Sequence, residues 1–229
     1  MTIWRWDGFF DYLFNAYLLE GAAISVALTL GALVFGLLIG VGIAIMRLAP
    51  SRLLRGFALF YCWIFRGTPL LVQLLIIYTG LPLFGIRFSV WEAALIGLSL
   101  NEGAYLSEIV RAGIISVARG QREAALALGL RRRQVFRLVT WPQALRLIIP
   151  PLGNSVNGLL KTTSVASVIS VDELLRRTQI LIQERFLVLE LFLVAALYYL
   201  AMTTLWDLVQ RRLEARYGRG YGGEAADRR

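Results

Sequence analysis

An all-α, polytopic membrane protein of five transmembrane helices is what the sequence predicts, with a cytoplasmic helical insert between the third and fourth. Three observations predict it. The 229 residues are 58% hydrophobic and only 17% charged, whereas soluble domains run to about a quarter charged. Charge-free runs of span length recur along the chain, and arginines cluster in the segments between them. Cys62 is the lone cysteine and histidine is absent, so disulfide frameworks and Cys/His zinc sites are excluded.

Residues 1–18 read as an amphipathic periplasmic segment, and Asp7 and Asp11 after Arg5 argue against a cleavable signal. The first span, about 21–46, holds no charge from Gly21 to Met46. As a helix it reaches about 39 Å, enough for a hydrocarbon core with some tilt. Gly36 and Gly40 inside it permit close helix contact, whether as a dimer seam or as plain packing. The second span is expected at about 57–80, with Gly80, Pro82 and Gly85 marking the turn after it. The third, about 91–117, is the most polar. The fourth, about 142–171, carries Lys161, and the fifth, about 186–206, carries only Glu190.

Basic residues select the orientation. Seventeen arginines follow spans one, three and five, while five lie on the opposite side. The positive-inside rule then puts the N-terminus outside and the C-terminus in the cytoplasm, with 216–229 a flexible tail. The formal net charge of +9 is thereby explained by topology and not by nucleic acid.

The cytoplasmic insert, 119–141, is the most informative stretch. Ala124, Ala125, Leu126, Ala127 and Leu128 are strong helix formers, and Gly129 suits a C-terminal cap. A second short helix follows, with Val135, Phe136, Leu138 and Val139 on its apolar side. Pro142 fits the first turn of span four. Such a helix pair would present alanines and Glu123 to a partner groove. A basic helix pair lying on anionic lipid accounts for the same residues.

Polar residues within the spans each require an account, because a charge at a span centre costs about 2.5–3.5 kcal/mol. Asn101, Tyr105 and Glu108 recur at helical spacing in span three with Glu102 to one side, and Asn154, Asn157 and Lys161 share a face in span four. These stripes could bind the two charges of a zwitterion. Equally, Glu108 could pair with Arg111 three residues on, and Glu102 with Lys161 at similar depth. Arg66 and Thr68 precede Pro69, which frees the carbonyl of Phe65 and bends the helix. Unwound backbone beside a cavity is where transporters bind substrate. The run Gly153 to Thr162 imitates a phosphate loop, but two leucines separate Gly158 from Lys161 and no soluble strand precedes it.

The chain resembles the permease subunits of polar amino acid ABC importers, the histidine/glutamine type, over about residues 20–215. The resemblance rests on Phe65-Arg66-Gly67-Thr68-Pro69-Leu70, Ala104-Tyr105-Leu106-Ser107-Glu108-Ile109-Val110-Arg111, and Gly120-Gln121-Arg122-Glu123-Ala124-Ala125 through Gly129. Pro142-Gln143-Ala144-Leu145-Arg146 and Lys161-Thr162-Thr163-Ser164 complete it. Val139-Thr140-Trp141 stands where the family often has Ile-x-Leu before the proline.

The resemblance implies a type I importer permease that pairs with itself or a sister permease. It implies docking of the insert, the EAA loop, on an ATPase subunit through Gly120, Glu123, Ala124, Ala125, Gly129 and Pro142. A periplasmic or lipid-anchored solute-binding protein would deliver an amino acid. This chain would bind no cofactor, ATP and magnesium belonging to the ATPase, and it would catalyse no reaction. Membrane lipid, and not nucleic acid, would surround it in the bacterial inner membrane. A secondary transporter or channel subunit is the alternative, and it leaves Glu123 to Gly129 without a purpose.

Overall fold

Whether lipid-soluble helices can enclose polar groups depends on how closely their backbones approach, and here glycine sets that distance. A computed structural model describes residues 5–217. Helix α1 (Trp6–Leu13) is followed by α2 (Ala16–Leu48), whose first turn is capped by the Asn15 side chain accepting from the Tyr17 amide at 2.9 Å. Helix α3 spans Arg52–Gly67 and α4 Leu70–Leu75. The chain continues from α4 through a π turn (Ile76–Gly80) and a 3-10 turn (Leu81–Phe84) to α5 (Val90–Ile115). Ser89 and Glu92 form a reciprocal capping box at the start of α5.

Helices α2 and α5 run side by side in the same direction, as the first and third spans of a membrane chain must. Gly36 and Gly40 of α2 face α5 so closely that a Cβ on Gly40 would lie 2.9 Å from that of Leu106. The small-residue spacing in α2 therefore serves packing within the chain.

Past α5, the insert forms α6 (Arg119–Ala127) and α7 (Arg132–Val135). A π turn (Phe136–Thr140) leads α7 directly into α8 (Trp141–Thr162), with Pro142 in its first turn. A 3-10 segment (Thr163–Ile169) precedes α9 (Leu174–Arg185) and α10 (Val188–Tyr217). Leu18, Leu174, Leu187, Leu191 and Val194 cluster where α2, α9 and α10 meet. Ala44, Val110, Ile114, Ala144 and Ile148 form the core at the opposite end.

The all-α class holds, and no strand occurs among the described residues. Two span expectations need correction. The second span is not a straight helix over 57–80: α3 and the α4 segment meet at 103°. Gly67-Thr68-Pro69 breaks the helix because Pro69 has no N–H to offer and Thr68 before it is forced extended, at φ −118 and ψ 147. The fourth span ends its α-helix at Thr162 instead of 171, and Ser170 closes the 3-10 segment in the left-handed region at φ 68.

Among the described residues α2 and α10 are long and apolar enough to cross a membrane alone, and α3–α4 counts as a third if the bent pair is one span. Helices α5 and α8 carry the polar residues and fall short of that measure. Glu102 and Ser107 of α5 are enclosed by neighbouring helices, which lowers the cost of their polarity, while Asn154 and Lys161 of α8 stay exposed on this chain. The predicted N-terminal segment shortens to α1, since α2 already begins at Ala16. The tail beyond 217 lies outside the described residues.

Candidate functional site

The bend at Pro69 opens a cavity. With the helix broken, the Phe65 carbonyl loses its partner in the chain's own helix, and two side-chain amides replace it. Gln73 donates to it at 3.0 Å and Asn101 at 2.9 Å. Gln73 also bonds the Thr68 carbonyl and hydroxyl, at 3.1 and 2.8 Å, and Asn101 donates to Gln73 at 3.1 Å. This collar holds the bend open.

Beside it lies a cavity of about 590 Å³ lined by Arg66, Thr68, Pro69, Asn101, Glu102 and Tyr105, with Ser155, Gly158 and Thr162 of α8 opposite. Glu102 is 9% exposed, and its Oε1 has no hydrogen-bond partner among the described residues. The Arg66 guanidinium lies 5.5 Å over the Tyr105 ring and 2.9 Å from Glu108. The cavity therefore offers a cation and an unmet carboxylate in one polar space surrounded by apolar helices.

Glu108 is a hub rather than half of a local pair. It receives Arg111 at 2.9 Å, Arg66, and Arg47 from the end of α2. One carboxylate facing three guanidiniums leaves net positive charge on the Arg66 side.

Three residues expected on the pathway lie elsewhere. Asn157 donates to Asp207 of α10 at 2.6 Å, and Asn154 accepts from Gln210 at 3.2 Å. Lys161 is exposed on this chain and forms no ion pair with Glu102 among the described residues. The reason is helical phase: α8 turns Ser155, Gly158, Leu159 and Thr162 toward the cavity. Its 154, 157 and 161 positions therefore point about a quarter to just under half a turn away. Sequence reading missed Gln73 and Ser155. Gln73 was findable as the one polar side chain in the apolar run from Leu70 to Ile77; Ser155 carried no such signal.

At the end of the bundle, α6 stands free. Gly120, Glu123 and Ala124 are exposed, and Arg119 holds Glu123 at 2.6 Å. The helix is closed by Gly129 at φ 84, whose amide bonds the Leu126 carbonyl at 2.9 Å, while Leu130 bonds that of Ala125 at 3.2 Å. Ala125 is buried, so it seats the helix and does not join the exposed face. The second helix of the insert is also not separate, because α7 runs on into α8. Pro142 is exposed at that junction.

A polar cavity inside an apolar bundle, with a soluble insert at one end, is the plan of a transport permease moved by another protein. The chain belongs to the family described as binding-protein-dependent transport system inner membrane component, which matches residues 32–219. It is 43% identical over 176 residues to a putative glutamine transport system permease protein of Rickettsia felis, spanning 74% of this chain and 81% of that one. It is 37% identical over 229 residues to an arginine transport system permease protein of Corynebacterium glutamicum, spanning 94% and 72%. A crystal structure of an amino acid ABC transporter with histidines superposes with a TM-score of 0.88 at 35% identity, over 94% of this chain and all of that one. An inward-facing methionine ABC transporter shares the fold, with a TM-score of 0.71 at 20% identity over 87% of this chain and 95% of the other.

Proposed function

We propose that the chain is the permease subunit of an ATP-driven importer of polar amino acids, and that the cavity beside Pro69 holds the amino acid in transit. The observation that carries this is Glu102: a buried carboxyl residue that lines the same cavity as Arg66, with one oxygen, Oε1, that has no hydrogen-bond partner among the described residues. A zwitterion answers both, its ammonium at Glu102 and its carboxylate at Arg66. The amino acid relatives and the structural neighbour support the substrate class.

The exposed face of α6, with Gly120, Glu123, Ala124 and Gly129, docks on a separate ATPase subunit that holds ATP and magnesium. A second permease, identical or a sister, meets the exposed α8 stripe of Leu147, Pro151, Asn154 and Lys161, and a solute-binding protein delivers substrate on the outer side. The N-terminus is outside and the C-terminus in the cytoplasm, as the arginine distribution favours. ATP-driven closure of the ATPase pair then rocks the bundle through its rigid insert.

The test is a reconstituted transporter carrying Glu102→Gln. Uptake is expected to fall at least about tenfold, since a charged hydrogen bond is worth roughly 1.5–3 kcal/mol. Wild-type uptake kinetics for this variant would remove Glu102 from the site. Docking is tested separately by Ala124→Asp on the exposed face of α6, since any side chain at Gly129 would be strained at φ 84. It is expected to insert normally yet fail to retain the ATPase in a pull-down.

A further inference from the structure

At the α6 end of the bundle lies a second space, a groove of about 320 Å³ unrelated to the polar cavity. One wall is apolar: Val41 and Ile45 of α2, and Val110 and Ile114 of α5. The other is the stretch joining α7 to α8, where Phe136 and Trp141 lie tilted against each other with ring centroids 6.0 Å apart. Arg133 and Arg137, one helical turn apart, complete its rim.

Among the described residues these two arginines meet no acid. Glu123 is the only acid between Glu108 and Asp172, and Arg119 already holds it. Neither Arg133 nor Arg137 enters an ion pair among the described residues.

We propose that this groove binds one anionic phospholipid of the leaflet on the α6 side, its acyl chain along Val41, Ile45, Val110 and Ile114 and its phosphate between Arg133 and Arg137. Apolarity favours lipid over a soluble partner. Val41, Ile45, Val110 and Ile114 make a wall without a polar side chain, continuous with the charge-free run Gly21–Met46 that crosses the bilayer, which suits an acyl chain. The apolar wall favours lipid over free phosphate, which has no use for it. Basic pockets between helices on the cytoplasmic side suit anionic headgroups, and an interfacial tryptophan suits the headgroup boundary. The occupant would wedge the stretch that connects the insert to α8, so the inference rests on the inside placement of the insert.

The experiment titrates the delipidated, assembled transporter in detergent with phosphatidylglycerol or phosphatidylcholine of identical chains, with glycerol phosphate as the headgroup-only arm. Native mass spectrometry of the released permease counts retained lipid, and thermal unfolding reports stabilisation. One phosphatidylglycerol per permease is expected, held about tenfold more weakly by Arg133→Gln/Arg137→Gln. The charge-matched control Arg122→Gln/Arg146→Gln is expected to bind as wild type. Equal retention of phosphatidylcholine, an equal loss in the control pair, or stabilisation by glycerol phosphate alone would each overturn the lipid site. So would loss of ATPase association in Arg133→Gln/Arg137→Gln with lipid retention unchanged. Lipid retention is read without transport, so it can fail while the proposed function stands, and the reverse.

Discussion

Two polar regions lie between the helices of this bundle, and they differ in what surrounds them: one is bonded across a helix seam, the other lines a cavity. Each holds one buried oxygen without a partner among the described residues, Gln210 Oε1 and Glu102 Oε1. Along the α8–α10 seam, Asn157 is bonded to Asp207, Gln210 bridges Asn154 and Glu214, and the Trp206 indole donates to the Gly153 carbonyl at 2.8 Å. In the cavity, Gln73 and Asn101 are equally engaged, but Glu102 Oε1 is not. The seam uses polarity to hold two helices together where apolar contacts alone would not fix their register. The cavity leaves a carboxylate waiting. Polarity within a membrane therefore marks a candidate, and an unmet oxygen on a residue that lines the same cavity as Arg66 is what separates Glu102 from the seam residues.

Substitutions can break that comparison. The largest contrast is expected at Glu102. Glu102→Gln replaces a buried carboxyl whose Oε1 has no partner among the described residues, so thermal stability should hold or rise while uptake falls about tenfold or more. A variant that both unfolds earlier and transports normally would reverse the assignment. Next is Asn157→Ala, which strips Asp207 of a partner inside the bundle. A loss of about 1–3 kcal/mol in stability is expected, with uptake per folded transporter near wild type. Melting of the purified protein alongside normalised uptake checks both halves.

Asn101→Ala sharpens the boundary, because it uncaps the Phe65 carbonyl that supports the cavity. We expect about 1 kcal/mol of destabilisation and a several-fold drop in uptake, the two moving together. The smallest effect belongs to Arg119→Ala. Its pair with Glu123 is exposed at 85% and 58%, and such pairs contribute at most about 1 kcal/mol. A melting shift beyond a degree or two would show that the insert is more tightly coupled to the bundle than its exposure implies.

The insert is legible in the amino-acid sequence because its signals are local. Helix formers followed by a glycine in the left-handed region need no tertiary information, and Gly129 at φ 84 is that glycine. Even there, the burial of Ala125 and the fusion of α7 to α8 leave no trace in the residue pattern, since both depend on what the insert packs against.

The cavity divides the same way. Pro69 announces a bend, because the missing N–H is a property of the residue itself. The angle of the break, and the use of Asn101 beside Gln73 to satisfy the freed carbonyl, depend on a helix whose Asn101 lies 36 residues away in sequence.

By itself, then, the chain determined its all-helical class, the polarity of its segments and the identity of the insert, since these follow from composition, propensity and residue spacing. Only the tertiary structure decided which face of α8 meets α5. A phase difference of about a quarter to just under half a turn is small to a sequence pattern but decisive for a side chain. It sent Ser155 to Glu102's cavity and Asn157 to Asp207, and so separated the group that waits for a ligand from the groups that hold the bundle together.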